Sequence, residues 1–304
     1  MKRKGNVPAG VTLRDAFSGK EDQQPDFGVP WLDFGARAYS PSLRRWMVPD
    51  PLGEKYYGIN PYAYCNGDPV NYVDPEGREG IVISGGEYEG RYKYNFIEPA
   101  ITRLRQLKEA GGDEPVTWAV ITAGYSEEDL AKFKSVAEDL DVGFLLIGSA
   151  DELTNYLNSK DIASSNLSET RQGDQITSMS VFGHGTAGFA EFAYNQPDEE
   201  RYSWSKEHVK QLNKGAFNNA TIDLYTCNSA TNTDNGTSLA NALSVRTGST
   251  VTGYRGYSTY RKMNKGQGWR AKLNRKRNGF NTKGSIRLPQ AGKGGTRIKY
   301  IPPK

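Results

Sequence analysis

Two residues of this 304-residue chain have the side chains and the surroundings for nucleophilic chemistry. His184, one of two histidines, lies between Gly183 and Gly185 directly after an apolar run, and Cys227, one of two cysteines, follows another such run. A cysteine attacks as the thiolate, and an adjacent imidazole can take the thiol proton. The pair predicts acyl transfer, with the amides of Gly185 and Cys227 as an oxyanion hole.

The elements that would position this pair form a repeating pattern. We predict strands at 116–124, 142–149, 176–185, 220–230 and 249–256, and helices at 127–140, 150–159, 203–213 and 236–248. This alternation predicts an α/β domain with a mostly parallel sheet flanked by helices. His184 ends the third predicted strand and Cys227 ends the fourth. Because consecutive parallel strands are often neighbours, both side chains are expected at the same edge of the sheet.

Two strings of the sequence resemble a known family. SVFGHGTAG (180–188) and IDLYTCNSA (222–230) each join an apolar strand to its candidate residue, as in the caspase-like cysteine peptidases, CHAT-type domains among them. The resemblance implies that His184 is the general base and Cys227 the nucleophile of an enzyme that acts on a protein substrate. We expect no cofactor, because the sequence contains no cluster of metal ligands. A structural histidine in a glycine-rich turn and a small buried cysteine are the alternative interpretations.

A second resemblance lies nearer the start of the chain. In residues 29–80, aromatic residues alternate with Pro, Asn and Gly, which is typical of short strands joined by tight turns. The motifs DFGARAY (33–39), PDP (49–51), NPYAY (60–64) and DPEG (74–77) resemble the Rhs repeat-associated core of bacterial Rhs and YD-repeat polymorphic toxins.

The Rhs resemblance has several implications. The toxin would begin at about Glu79, and Asp74, Gly77 and Arg78 would form a self-cleavage motif, although turn geometry alone accounts for this Asp and Pro equally well. The protein would be secreted, or delivered into target cells by a specialised secretion system, and would have a cognate immunity protein. No signal peptide and no membrane-spanning apolar run are visible in the sequence.

The charge is unevenly distributed along the chain. The net charge is +4, but residues 261–304 contain 14 Lys and Arg and no acidic residue, which leaves 25 basic and 35 acidic residues before them. Three interpretations remain open: a solvated extension, a segment that docks on an acidic partner or on its own acidic body, and a nucleic-acid surface with Trp269, Phe280 and Tyr300 as stacking rings. The extension has no His, Asp or Glu, so we expect no catalysis there.

These observations predict four parts. They are a flexible segment at 1–28, an Rhs-core-like β segment at 29–80, a caspase-like α/β toxin domain at 81–260 and a basic extension at 261–304. The predicted function is an Rhs-type toxin that acts as a Cys–His peptidase. The alternatives are a nucleic-acid-targeting toxin that uses the basic extension and a non-catalytic binding module with the same fold.

Overall fold

The computed structural model describes residues 21–22, 30–33, 38–43, 45–48, 78–86, 90–110, 115–163, 171 and 175–303. The chain divides into two units, residues 1–76 and 77–304. In the first unit, short antiparallel strands follow in the order β1 (Glu21–Asp22), β2 (Leu32–Asp33), β3 (Ala38–Ser40) and β4 (Arg45–Trp46). Leu32, Tyr39 and Trp46 are buried together, and the Tyr39 and Trp46 rings meet edge to face.

The second unit is built on a seven-stranded sheet. The described strands of this unit are β5 (Arg78–Ser84), β6 (Val116–Ile121), β7 (Gly143–Ile147), β8 (Gln175–Phe182), β9 (His184–Thr186), β10 (Phe189–Glu191), β11 (Ser203–Ser205), β12 (Phe217–Leu224), β13 (Thr250–Arg255), β14 (Ser258–Thr259), β15 (Gln290–Ala291) and β16 (Thr296–Tyr300). Seven of them form the large sheet, β9, β10 and β11 form a second sheet, and β14 pairs with β15. The sheet order is β16-β13-β12-β8-β5-β6-β7, and β16 alone in this sheet is antiparallel to its neighbour. The prediction of an α/β fold with a mostly parallel sheet is therefore confirmed.

Helices cover both faces of this sheet. They are α1 (Ile97–Ala110), α2 (Glu127–Asp139), α3 (Ala150–Ser159), α4 (Lys206–Lys210), α5 (Leu239–Thr247) and α6 (Trp269–Asn278). Successive side chains of β5 point to opposite faces of the sheet. Ile81 and Ile83 pack on the face that α3, α4 and α5 cover, and Val82 packs on the face that α1 and α2 cover. Strands buried on both faces have near-continuous apolar sequences, as β5, β6 and β8 do.

The path of the chain creates a crevice at one edge of the sheet. From β5 the chain adds β6 and β7 on one side, and then crosses to the other side of β5 to form β8, β12 and β13. The strand order therefore reverses between β5 and β8. In open α/β sheets, ligands bind outside the carboxyl ends of the strands at such a point.

The structure contains elements that the sequence did not predict and corrects one that it did. The predicted helix at 203–213 is wrong in its first part, because 203–205 pair with β10 as β11 and Ser205 caps the short helix α4. Strand β5 and helix α1 were not predicted. In α1, buried Ile97, Ile101 and Leu104 follow a helical spacing, and Pro99 is tolerated because it lies in the first turn.

The basic extension packs on the rest of the second unit. Strand β16 pairs with β13 along its length, and the guanidinium of Arg297 lies 2.7 Å from the Asp223 carboxylate. Helix α6 is joined to α1 by the ion pair between Arg275 and Glu98, at 2.5 Å. Docking on the chain's own body, one of the three open interpretations, is therefore what the structure shows.

Candidate active site

The two candidate residues follow neighbouring strands. Strand β8 ends at Phe182, and His184 begins β9 two residues later. Strand β12 ends at Leu224, and Cys227 lies in the turn that follows it. Since β8 and β12 are adjacent and parallel, both residues lie at the carboxyl edge of the sheet. The predicted adjacency of these two strands is confirmed.

The segments that carry the two residues are in backbone contact at Gly185. A Cβ atom on this residue would lie 2.3 Å from the carbonyl oxygen of Cys227 and 2.9 Å from the Cβ of Thr226. Real Cβ atoms essentially never approach other atoms so closely. Glycine is required after His184 because the backbone there lies directly against the cysteine turn.

The thiol of Cys227 is half-buried and contacts Ser258 of β14. The amide of Ser258 donates to Sγ at 3.4 Å, its Oγ lies 3.5 Å from Sγ, and its carbonyl oxygen can accept from the thiol at 3.7 Å. An N–H that donates to sulfur stabilises the negative charge that develops when the proton leaves. Sequence reasoning missed Ser258, which is 31 residues from Cys227 and belongs to no recognisable motif.

The turn after Cys227 is held by the end of β13. Asn228 adopts φ of 54°, and its amide donates to the carbonyl of Gly256 at 2.8 Å. The amide of Ala230 donates to the carbonyl of Tyr254 at 2.9 Å. Asparagine enters the left-handed region more readily than most residues. These bonds fix the backbone that presents the thiol.

The imidazole of His184 packs between two aromatic rings. Its centroid lies 5.1 Å from that of Phe96, edge to face, and 5.2 Å from that of Tyr194. Burial lowers the pKa of His184 to about 4, because an apolar environment disfavours the charged form. At neutral pH the imidazole is therefore uncharged and can accept a proton.

His184 and Cys227 line the same cavity, which has a volume of about 500 Å³. Its walls come from the segment before α1, from β14 and the following Tyr260, and from the basic extension, including Arg275. The cavity lies beyond the carboxyl ends of β8 and β12. The thiol hydrogen-bonds to Ser258 and not to the imidazole, so the structure brings the two residues into one cavity without a direct bond between them.

Gly185 and Cys227, whose amides are predicted for the oxyanion hole, are in backbone contact. The Cβ position of Gly185 is 3.2 Å from the amide nitrogen of Cys227, and Gly185 lies opposite Ala190 in the β9–β10 ladder. Within the described part of the chain, the Cys227 amide donates no backbone hydrogen bond. A donor aimed at the cavity would suit a developing oxyanion, and the assignment stays a prediction.

The remaining predicted residues lie elsewhere. Asp74 and Gly77 of the self-cleavage motif lie outside the described residues, and Arg78 is the first residue of β5, opposite Gln175. His208, the other histidine, accepts a hydrogen bond from the amide of Ser205 at 3.0 Å and so caps α4.

One family model matches the chain, and its region of similarity contains both candidates. The family is a domain of unknown function, DUF4347, and the match covers residues 145–269, from β7 to the first residue of α6. This is less than half of the chain, and no activity is assigned to the family. No curated protein and no solved structure matches the chain.

Within the described ranges, no group of three or more His, Cys, Asp or Glu side chains is placed to hold a metal ion. Among the same residues, no helix combines the length and the apolar character needed to cross a membrane.

Proposed function

We propose that the second unit is a cysteine peptidase in which Cys227 is the nucleophile and His184 the general base. The observation that carries the proposal is that both side chains line one cavity of about 500 Å³ at the carboxyl edge of the sheet. Ligand sites in α/β folds occur at this place. The resemblance of the strings at 180–188 and 222–230 to caspase-like peptidases supports the same assignment.

The proposed reaction begins with proton transfer from the thiol to the neutral imidazole of His184. Rotation about the Cα–Cβ bond of Cys227 turns the thiol from the Ser258 carbonyl towards the imidazole as substrate binds. Sγ then attacks the peptide carbonyl carbon, and the carbonyl electron pair moves to oxygen to form the tetrahedral intermediate. Collapse of this intermediate breaks the C–N bond, and protonated His184 gives its proton to the leaving amine.

Water completes the cycle. His184, neutral again, takes a proton from a water molecule whose oxygen attacks the thioester carbonyl. The C–S bond then breaks, the acid product leaves, and the sulfur recovers the proton from the imidazole. The amides of Gly185 and Cys227 would hold the oxyanion in both halves of the reaction.

The test uses the full chain with two pairs of matched variants. Cys227→Ala is compared with Cys65→Ala, which removes the other cysteine, and His184→Ala is compared with His208→Ala, which removes the other histidine. Cleavage of a diverse peptide mixture is followed by mass spectrometry. We expect Cys227→Ala to abolish cleavage and His184→Ala to slow it by roughly 10²- to 10⁴-fold. Cleavage that survives in Cys227→Ala would refute the proposal.

In cells, the proposed role is that of an Rhs-type toxin delivered to a target cell and neutralised by an immunity protein. Its support is the set of motifs in 33–77 that resemble the Rhs core. The test is expression of the chain in cells that lack an immunity protein. We expect wild-type protein to arrest growth and Cys227→Ala protein to be tolerated at equal abundance, whereas equal toxicity of the two would count against a toxic peptidase.

A nucleic-acid-targeting toxin is the second candidate, and one surface favours it. On α6, Trp269 is 69% exposed, and the cations of Arg270, Lys272 and Lys276 are exposed around it. Deleting the extension would not test this candidate, because β16 and the cavity wall would be lost with it. Reversing the three charges to Glu leaves these parts in place. Loss of salt-dependent DNA or RNA binding, together with loss of toxicity, would favour this candidate.

A further inference from the structure

Helix α6 has one face that is fully open to solvent. Trp269 and Leu273 lie one helical turn apart on this face and are 69% and 57% exposed. Four exposed cations flank them: Arg270, Lys272, Lys276 and Arg277. Asn274 and Arg275, on the opposite face, are half-buried and bond to other parts of the chain. The outer face of α6 therefore presents two apolar side chains among four positive charges.

These four positive charges have no acidic partner among the described residues. Of the Lys and Arg residues in 261–304, only Arg275 and Arg297 contact a carboxylate within the described part of the chain. The extension itself contains no Asp or Glu. Lys272 and Lys276 are four residues apart, a spacing at which like charges on a helix destabilise it. An acidic partner would relieve this repulsion.

The outer face of α6 begins close to the cavity. Gly279, which directly follows the helix, lines the cavity and is exposed. Arg261, an exposed cation, also lies on the lining. A helix rises about 1.5 Å per residue, so Trp269 lies about 15 Å from Gly279 along the axis. About four or five residues of extended chain span that distance, so a peptide held in the cavity can reach the outer face with its next few residues.

From these observations we infer that the outer face of α6 binds an acidic segment of the protein substrate, a few residues from the bond that Cys227 attacks. Carboxylates of this segment pair with the four cations, and an apolar side chain between them packs on Trp269 and Leu273. The inference rests on the proposed peptidase function and adds a class of substrate. It concerns the substrate residues that lie outside the cavity, not those next to the cut.

The composition of the outer face favours a protein over other polyanions. Single-stranded nucleic acids stack successive bases on aromatic rings, whereas Leu273 has no ring and the guanidinium of Arg270 lies over the Trp269 ring, 5.5 Å from its centroid. A helix that lies in a membrane surface has a broad apolar face, and α6 exposes only two apolar side chains. Apolar anchors within a polar rim are typical of protein interfaces.

The first experiment measures binding to the full chain with Cys227→Ala, which has no thiol to attack the probe. The probes are a fluorescein-labelled Glu-rich peptide with a central Leu, the same peptide with Gln in place of Glu, labelled oligothymidylate, and vesicles of phosphatidylserine and phosphatidylcholine. Anisotropy gives the Kd of the first three, and co-sedimentation gives that of the vesicles. We expect the Glu peptide to bind about 5- to 100-fold more tightly than the Gln peptide at low salt.

Matched variants test where the Glu peptide binds. Leu273→Ala should weaken its binding by about 5- to 30-fold, whereas Val245→Ala, which shortens an equally exposed apolar side chain on α5, should not. Lys272→Gln should weaken binding by about 2- to 5-fold, and Lys134→Gln, at an exposed position of α2, should leave it unchanged.

Three results would overturn the inference. The first is equal binding of the Glu and Gln peptides. The second is tighter binding of oligothymidylate or of the vesicles at the same salt concentration, which would assign the face to a nucleic acid or to a membrane. The third is binding of the Glu peptide that Leu273→Ala and Lys272→Gln leave unchanged.

The second experiment uses cleavage to separate this inference from the peptidase proposal. A peptide that the wild-type chain cleaves in the mixture assay is made with and without the Glu-rich segment, placed about five residues from the cut on either side. Because the segment contacts α6 equally before and during the reaction, it should lower KM by about 5-fold or more and leave kcat unchanged. Leu273→Ala should remove this gain.

The two experiments can fail independently. If the Glu peptide binds through α6 but no peptide is cleaved, the peptidase proposal fails and the assignment of the α6 face stands. If cleavage depends on Cys227 but the Glu-rich segment does not lower KM, the assignment of the α6 face fails and the peptidase proposal stands.

Discussion

Gly185→Ala tests the contact that joins the two halves of the candidate site. The new methyl group would begin 2.3 Å from the Cys227 carbonyl oxygen, so the cysteine turn must retreat by about 1 Å to reach a normal carbon–oxygen separation. Extra methyl groups in packed regions cost about 1–3 kcal/mol of unfolding free energy. A displacement of about 1 Å at a catalytic centre costs roughly 100-fold in rate.

The assay pairs urea unfolding with kcat/KM and with alkylation of Cys227. We expect Gly185→Ala to lose about 1–3 kcal/mol of unfolding free energy and about 100-fold in kcat/KM. Gly268→Ala is the matched control, because its Cβ would have no atom within 4 Å and its φ is −72°. That variant should keep full activity and lose less than about 1 kcal/mol. If Gly185→Ala behaves like this control, the cysteine turn does not depend on the close approach.

Four further predictions follow from the structure. Because burial lowers the pKa of His184 to about 4, kcat/KM should be constant above about pH 5 and should fall as the pH drops through about 4. A half-point near pH 6.5 in the pH–rate profile would contradict burial of the base. The same pKa shift favours protonation of the unfolded chain, so unfolding free energy from urea titrations should fall as pH drops from about 6.5 to about 4. Glu98→Ala leaves the Arg275 guanidinium without its carboxylate and should lower the unfolding free energy, measured in urea, by about 3–5 kcal/mol. The double variant Glu98→Gln with Arg275→Gln should lower it by less. Equal losses would show that the ion pair does not anchor α6. Ser258→Ala keeps the amide that donates to Sγ and removes Oγ, whose proton is donated to the Tyr225 carbonyl at 3.1 Å. Oγ can therefore only accept from the thiol, which favours the protonated form, so its loss should speed alkylation of Cys227 by iodoacetamide by about 2- to 10-fold. An unchanged rate would show that Oγ does not influence the thiol.

The central part of the fold could be predicted because its signals are local. Apolar runs mark β6, β8 and β12, and the helical spacing of Phe133 and Val136 marks α2, which Ser126 caps. Strand β5 was missed because its short apolar run directly follows a turn-rich segment. The strand at 203–205 was missed because its pairing with β10 depends on a partner that local propensity does not encode.

The sequence by itself determined which residues end neighbouring strands and which of them could act as base and nucleophile. Only the tertiary structure decided what surrounds them. The Glu98–Arg275 contact joins residues 177 positions apart, and Ser258 reaches the thiol from a third strand. Such contacts depend on how distant segments pack against each other, and no periodic pattern in the sequence encodes that packing. The sequence therefore located the two candidate residues, while the fold determined that they share one cavity lined by aromatic rings.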